Sequence, residues 1–270
     1  MKTLENHVIL FDEECPMCHR YTKAFIKTGM LPVDGREAYQ NMPNQICALV
    51  DRQKAANEIA LVNTETGEVQ YGIHSLFKVI GNTLPFLKPL FRLSPFIWLM
   101  TKFYAFISYN RKVIIPAEVK AHHIQPTFKL KYRLAYLLFT WLVTAFILIN
   151  YAHLLTDFVP IGNQFREYLI CGGQIFFQGI IISFYKKDSL WDYLGNMMTI
   201  SFAGALLLLP ALLFGKYFTI APIFFIVYFL GIAGLMLLEH FRRSKILKLG
   251  YLLSFTWVIY RLIILVLIFS

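Results

Sequence analysis

The stretch H-V-I-L-F-D-E-E-C-P-M-C-H-R-Y-T-K-A-F-I, His7 to Ile26, decides how the first half of the chain is read. A short apolar strand, Val8 to Phe11, runs into a tight acidic turn. Two cysteines separated by two residues then open a helical pattern. The spacing suits thiol chemistry. Cys15 would stand where unpaired backbone N–H groups and the positive end of the helix dipole favour a thiolate, and Cys18, one turn on, faces the same way. Pro16 fits a first helical turn, where its missing N–H has no partner to lose.

Three readings fit the pair: a redox dithiol, metal ligands, or a structural pair. The redox reading leads. A tetrahedral zinc site wants four ligands, and the other cysteines are Cys47, in an apolar stretch, and Cys171, in a long apolar segment. A Cu(I) carrier needs only the two sulfurs. The run C-P-M-C-H also matches a c-type haem attachment pattern with His19 as axial ligand, but that chemistry belongs outside the cytoplasm and the N-terminus carries no export signal.

F-D-E-E-C-P-M-C, Phe11 to Cys18, followed by F-Y-A-F-I-S-Y-N-R, Phe103 to Arg111, resembles the DCC family of thiol-disulfide oxidoreductases. That family opens on D-G-x-C-x-x-C and closes on an aromatic helix ending in Asn-Arg. The resemblance covers residues 5 to 115. It implies a thioredoxin-like α/β domain with Cys15 and Cys18 as the redox pair, Asp12 as the acidic residue of the motif, and Asn110 and Arg111 closing the domain. Two departures stand out. The motif's glycine is Glu13, whose carboxylate would oppose thiolate formation. And K-A-A-N, ahead of the strand expected at Glu58 to Val62, lacks the proline that thioredoxins place before the strand facing the dithiol.

The composition demands a membrane region. Of 270 residues, 57% are hydrophobic, and the mean hydropathy is +0.54. The net charge of +10 is uneven: residues 1–128 hold 14 Lys/Arg against 11 Asp/Glu (+3), and residues 129–270 hold 12 against 5 (+7). Basic residues between apolar spans set topology, so no nucleic-acid partner is expected. Four cysteines with one close pair make no disulfide framework and fit a reducing compartment.

Along the chain, the first helix should stop at Gly29. Residues 30–45 read as a loop, Ile46 to Val50 as a buried strand containing Cys47, and 51–57 as a polar connection. Glu58 to Gly72 reads as two strands around T-E-T-G. His74 opens a helix over Ser75 to Gly81. The aromatic stretch from Thr83 to Ile107, broken by Pro85, Pro89 and Pro95, is expected as two short helices that cover the domain's open face or rest on a bilayer surface. Arg111 to Thr127, with His122 and His123, reads as a solvated linker.

Beyond Arg133, five apolar stretches near 133–155, 165–185, 191–213, 217–239 and 247–269 are each long enough to span a membrane. Nine basic residues (Lys129, Lys131, Arg133, Lys186, Lys187, Arg242, Arg243, Lys245, Lys248) fall on one side against two (Arg166, Lys216) on the other. That places the N-terminal domain in the cytoplasm and the C-terminus outside. Polar residues within the spans are Asn150, Gln174, Gln178, Asn196 and Arg261. Gln174 and Gln178 share a helix face. Arg261 calls for snorkelling, a packing contact or a functional role, with Asp157 and Glu167 as candidate partners.

The organisation expected is therefore a thioredoxin-like domain over 1–115, a linker over 116–130 and an all-α five-helix transmembrane domain over 131–270. The expected activity is thiol–disulfide exchange on a protein or small-molecule disulfide, with no organic cofactor and no metal. The alternative is a non-enzymatic metal- or partner-binding domain that regulates the membrane region.

Overall fold

The computed structural model describes residues 2–42, 46, 48–118, 124–160, 162–218 and 220–270. The chain divides into two units, Met1–Tyr132 and Arg133–Ser270. In the first, strand β1 (His7–Phe11) is followed by helix α1 (Pro16–Lys27), β2 (Arg36–Ala38) and a 3-10 turn at Tyr39–Asn41. Then come α2 (Arg52–Asn57), the hairpin β3 (Ala60–Asn63) and β4 (Val69–Tyr71), and α3 (Ile73–Thr83). Two 3-10 turns at Pro85–Leu87 and Leu90–Arg92 lead into α4 (Ser94–Ile114).

The sheet order is β2-β1-β3-β4. β1 runs parallel to β2 (Ile9 opposite Arg36) and antiparallel to β3 (Ile9 opposite Leu61), and β3 is antiparallel to β4. The two-residue period of a strand then sorts the core into two layers. Ile9 and Leu61 pack with Leu31, Ile59 and Val79, and Tyr21, Phe25 and Tyr104 lie against them. Leu10, Ala60 and Val62 face the other way, onto Tyr39, Met42, Ala55 and Ala56. Both faces of β1 are covered, which is why it reads as an unbroken apolar run.

Four expectations need correction. The loop expected over 30–45 contains β2, a three-residue strand, R-E-A, whose only apolar residue is Ala38 and which is defined by its pairing to β1. Of the strand expected at Ile46 to Val50, Ala48 to Val50 form a turn, while Cys47 lies outside the described residues. The polar connection 51–57 is α2, capped by Asp51, whose Oδ1 accepts the Lys54 N–H at 2.9 Å. The aromatic stretch is two 3-10 turns followed by one 21-residue helix that carries Asn110 and Arg111. Pro95 stands in its first turn and starts it instead of breaking it. The hairpin around T-E-T-G and the helix after His74 form where expected.

Helix α5 (Leu130–Ala152) runs into the second unit, where α6 (Arg166–Tyr185), α7 (Leu190–Tyr217), α8 (Pro222–Ile246) and α9 (Leu252–Phe269) follow in order. Five spans among the described residues, Leu130–Leu155, Arg166–Tyr185, Lys187–Tyr217, Pro222–Ile246 and Leu252–Phe269, are long and apolar enough to cross a membrane. Their outer surfaces carry exposed Leu169, Phe176 and Phe184, as lipid-facing helices require. These helices mark the chain as an integral membrane protein.

Candidate functional site

Helix α1 begins directly after the turn that leaves β1, so its first residues stand at the end of the central strand. Cys15 is the N-cap, in extended conformation at φ −98°, ψ 105°, and Pro16 is the first residue of the helix. The Cys15 Sγ accepts the Cys18 N–H at 3.3 Å. The Cys15 N–H donates to the Asp12 carbonyl at 3.1 Å and its own carbonyl accepts from His19 at 3.0 Å. Both thiols are free and almost fully buried, 5% and 6% exposed, in a cluster with Phe11 and Ala38.

The two thiols are electrostatically unlike. A hydrogen bond from the Cys18 side chain pulls the Cys15 thiol down to about 7 against the opposing effect of burial. The Arg111 cation and the Cys18 N–H add to that pull, while the Asp12 carboxylate opposes it. Cys18 is raised well above an ordinary thiol, because its proton is held in the bond to Cys15 and because it is buried. Cys15 is therefore the thiolate former and Cys18 keeps its proton.

Behind the pair lies a buried ion pair. Asp12 Oδ2 accepts from Arg111 Nη2 at 2.7 Å, with both side chains about 5% exposed. Asp12 Oδ1 accepts from Gln40 Nε2 at 2.9 Å and from the Glu14 N–H at 3.1 Å. Arg111 Nη2 also donates to the Ala56 carbonyl at 2.6 Å, and Nη1 lies 3.4 Å from the Asn57 carbonyl and from Ser108 Oγ. Burial alone would pull the guanidinium down, but its coupling to the acidic groups around it, the Cys18 thiol, the Asp12 carboxylate and the Cys15 thiolate, raises it and keeps it charged. Asn110 serves elsewhere: its buried amide donates to the carbonyls of Phe106 at 2.9 Å and Tyr132 at 3.0 Å.

Several site residues carry no sequence signal. Gln40 sits in a stretch expected as loop. Tyr21 packs against the cluster that holds both thiols, and burial pushes its phenol well above the ordinary range. A helical tyrosine looks the same in sequence whether it meets lipid, solvent or a thiol. Glu13, expected to oppose the thiolate, is exposed: its N–H donates to Gln40 Oε1 at 3.2 Å and its carboxylate accepts from Asn41 Nδ2 at 3.3 Å; the carboxylate that opposes Cys15 is Asp12. His19 is exposed, with Nδ1 3.3 Å from Arg36 Nη2, and His74 packs edge-on to Phe77. An open hollow of about 380 Å³ at the start of α1 is lined by Glu13, Glu14, Pro16, His19, Arg20, Ala117 and Glu118. His122 and His123 lie outside the described residues.

The membrane unit has a polar core of its own. Tyr193 donates to Gln178 Oε1 at 2.9 Å and lies 3.2 Å from His240 Nε2. His240 Nδ1 is 2.8 Å from Ser254 Oγ. Arg133 and Arg243, read from sequence as topology determinants, are buried, and each pairs inside the unit. Arg133 bonds the Trp191 carbonyl at 2.7 Å and Asp192 at 3.4 Å; Arg243 bonds Glu239 at 2.7 Å and Asn196 at 3.0 Å. The expected partners of Arg261 do not pair with it. Glu167 instead holds Arg166 at 2.9 Å, and the Arg261 guanidinium lies 5.2 Å from the Trp257 ring. Gln174 is buried with neither amide atom hydrogen-bonded. Cys171 is a buried free thiol in α6.

Compared with protein-family models, with curated proteins and with solved structures, the chain gives no match.

Proposed function

We propose that the N-terminal unit is a DCC-type thiol–disulfide oxidoreductase with a thioredoxin-like fold, held at the cytoplasmic face by its membrane-spanning helices. The observation that carries this reading is the asymmetry of the dithiol. Cys15 caps a helix and is lowered to about 7, while Cys18 retains its proton beside it. A structural pair has no need of that difference, whereas a nucleophile and its resolving partner do. The parallel β1–β2 pair joined through α1, followed by an antiparallel hairpin in the order β2-β1-β3-β4, supports the thioredoxin-like part.

In the proposed reaction the Cys15 thiolate attacks one sulfur of a protein or small-molecule disulfide. A bond forms between Cys15 and that sulfur, the substrate S–S bond breaks, and the departing thiolate takes a proton from water. Cys18 then loses its proton and attacks Cys15, releasing the second substrate thiol and leaving a Cys15–Cys18 disulfide. Two electrons pass from dithiol to substrate, and a second dithiol must return them. No organic cofactor enters.

The test is covalent trapping in the native membrane. Cys18→Ser should accumulate mixed disulfides through Cys15, and Cys15→Ser should accumulate none. If Cys18→Ser traps nothing and the pair instead retains a stoichiometric metal through purification, the oxidoreductase reading is replaced by metal binding.

A further inference from the structure

The two 3-10 turns and the first half of α4 form an apolar surface that the N-terminal unit does not use. Phe86, Leu93, Trp98, Leu99 and Phe103 are each more than half exposed. The second half of the same helix behaves differently. Ser108, Asn110, Arg111 and Val113 are buried, and the Tyr104 hydroxyl accepts the Ile59 N–H at 2.9 Å. One helix thus docks on the domain by its C-terminal half and presents bare hydrocarbon by its N-terminal half. The bare part is held in place. Phe91 stacks on Phe77 of α3 at 4.3 Å and 6°, with Phe96 stacked beside them.

The charges carried by this stretch of the chain are of one sign. From Val69 to Ala117 the sequence contains no Asp or Glu. Lys88, Arg92 and Lys102 are exposed among the apolar residues. A protein-binding patch is depleted of lysine at its centre. Apolar residues interleaved with Lys and Arg, with a tryptophan among them, match a helix lying in the headgroup layer of a bilayer. The tether adds to the case. The chain enters its first membrane span at Leu130, so the surface is confined near a bilayer and weak attraction suffices to hold it there.

We propose that this face, Phe86 to Phe103, lies on an anionic bilayer leaflet, with Trp98, Leu99 and Phe103 in the interface and Lys88, Arg92 and Lys102 on acidic headgroups. The proposal is independent of the dithiol chemistry.

The experiment uses the full chain with photoreactive p-benzoylphenylalanine in place of Trp98, an exposed position whose replacement opens no core. It is reconstituted into vesicles of phosphatidylcholine, alone or mixed with phosphatidylserine, irradiated, and the adducts are identified by mass spectrometry. The same probe in place of Lys23, exposed on α1, is the control. The expected result is a lipid adduct at position 98 that exceeds the control, rises with phosphatidylserine, and weakens by a factor of about five for each of Lys88→Gln, Arg92→Gln and Lys102→Gln. An adduct to residues 133–270 or to a second copy of the chain overturns the proposal. So does a lipid yield no higher than the control. A lipid adduct indifferent to phosphatidylserine and to the three substitutions overturns the assignment to acidic headgroups.

Discussion

Arg111→Met and Asp12→Asn should move the Cys15 thiol in opposite directions, although the two side chains form one ion pair. Arg111 stabilises the Cys15 thiolate and Asp12 opposes it. Losing the cation should raise the thiol and losing the carboxylate should lower it further. The sizes are unequal at neutral pH. With Cys15 at about 7, roughly half is thiolate at pH 7. A thiol ten times weaker as an acid would be only about a tenth ionised there, whereas one ten times stronger gains less than twofold. A tenfold loss of acidity in Arg111→Met should therefore slow Cys15 alkylation about fivefold at pH 7, and Asp12→Asn should speed it only slightly. The assay is peptide-resolved iodoacetamide labelling against pH. Deprotonation activates the thiol, so the native profile should climb through pH 7 and flatten above it, at a pH about 1.5 lower than for an ordinary cysteine. Each single substitution also strands a buried charge, at a cost of about 3–5 kcal/mol. Arg111→Lys, which keeps the charge, and the double substitution, which removes both, separate electrostatics from unfolding. If both single substitutions shift the profile the same way while the protein stays folded, the account of Cys15 activation is wrong.

Two further outcomes are expected. Tyr193→Phe removes the hydroxyl shared by Gln178 and His240 and should cost about 1–3 kcal/mol, read as a lower melting temperature in detergent; an unchanged melting temperature would mean that the buried network contributes nothing to stability. A reporter fused after Ser270 should score as external and labelling of the N-terminal unit from outside intact cells should fail, given five spans and nine basic residues to two; an internal reporter at Ser270 would refute that orientation.

How far the sequence reaches is clearest at Cys15. Strand, acidic turn, Cys-x-x-Cys and helix are local features, written by a switch in apolar period and by a proline at a helix start, and all of them were legible. So was the hairpin, whose turn needs Gly67 at φ +74°, and so were the five long apolar helices, because a bilayer accepts only runs of that length and character. The strand β2 was not. Three residues with no alternation acquire strand geometry only from the hydrogen bonds that β1 offers. Nor did the prolines of the aromatic stretch reveal which would break a helix and which would begin one. Tertiary structure alone decided the environment of the thiols. Arg111 reaches Asp12 across 99 positions of sequence, and Gln40 and Tyr21 converge from elements with no pattern in common. It likewise decided that Arg133 and Arg243, expected as markers of orientation, are buried and paired with Asp192 and Glu239. Periodicity records which face of an element avoids water, a property each residue shares with its near neighbours in sequence. Which polar groups meet once those faces are buried depends on how the elements pack, and no single stretch encodes that.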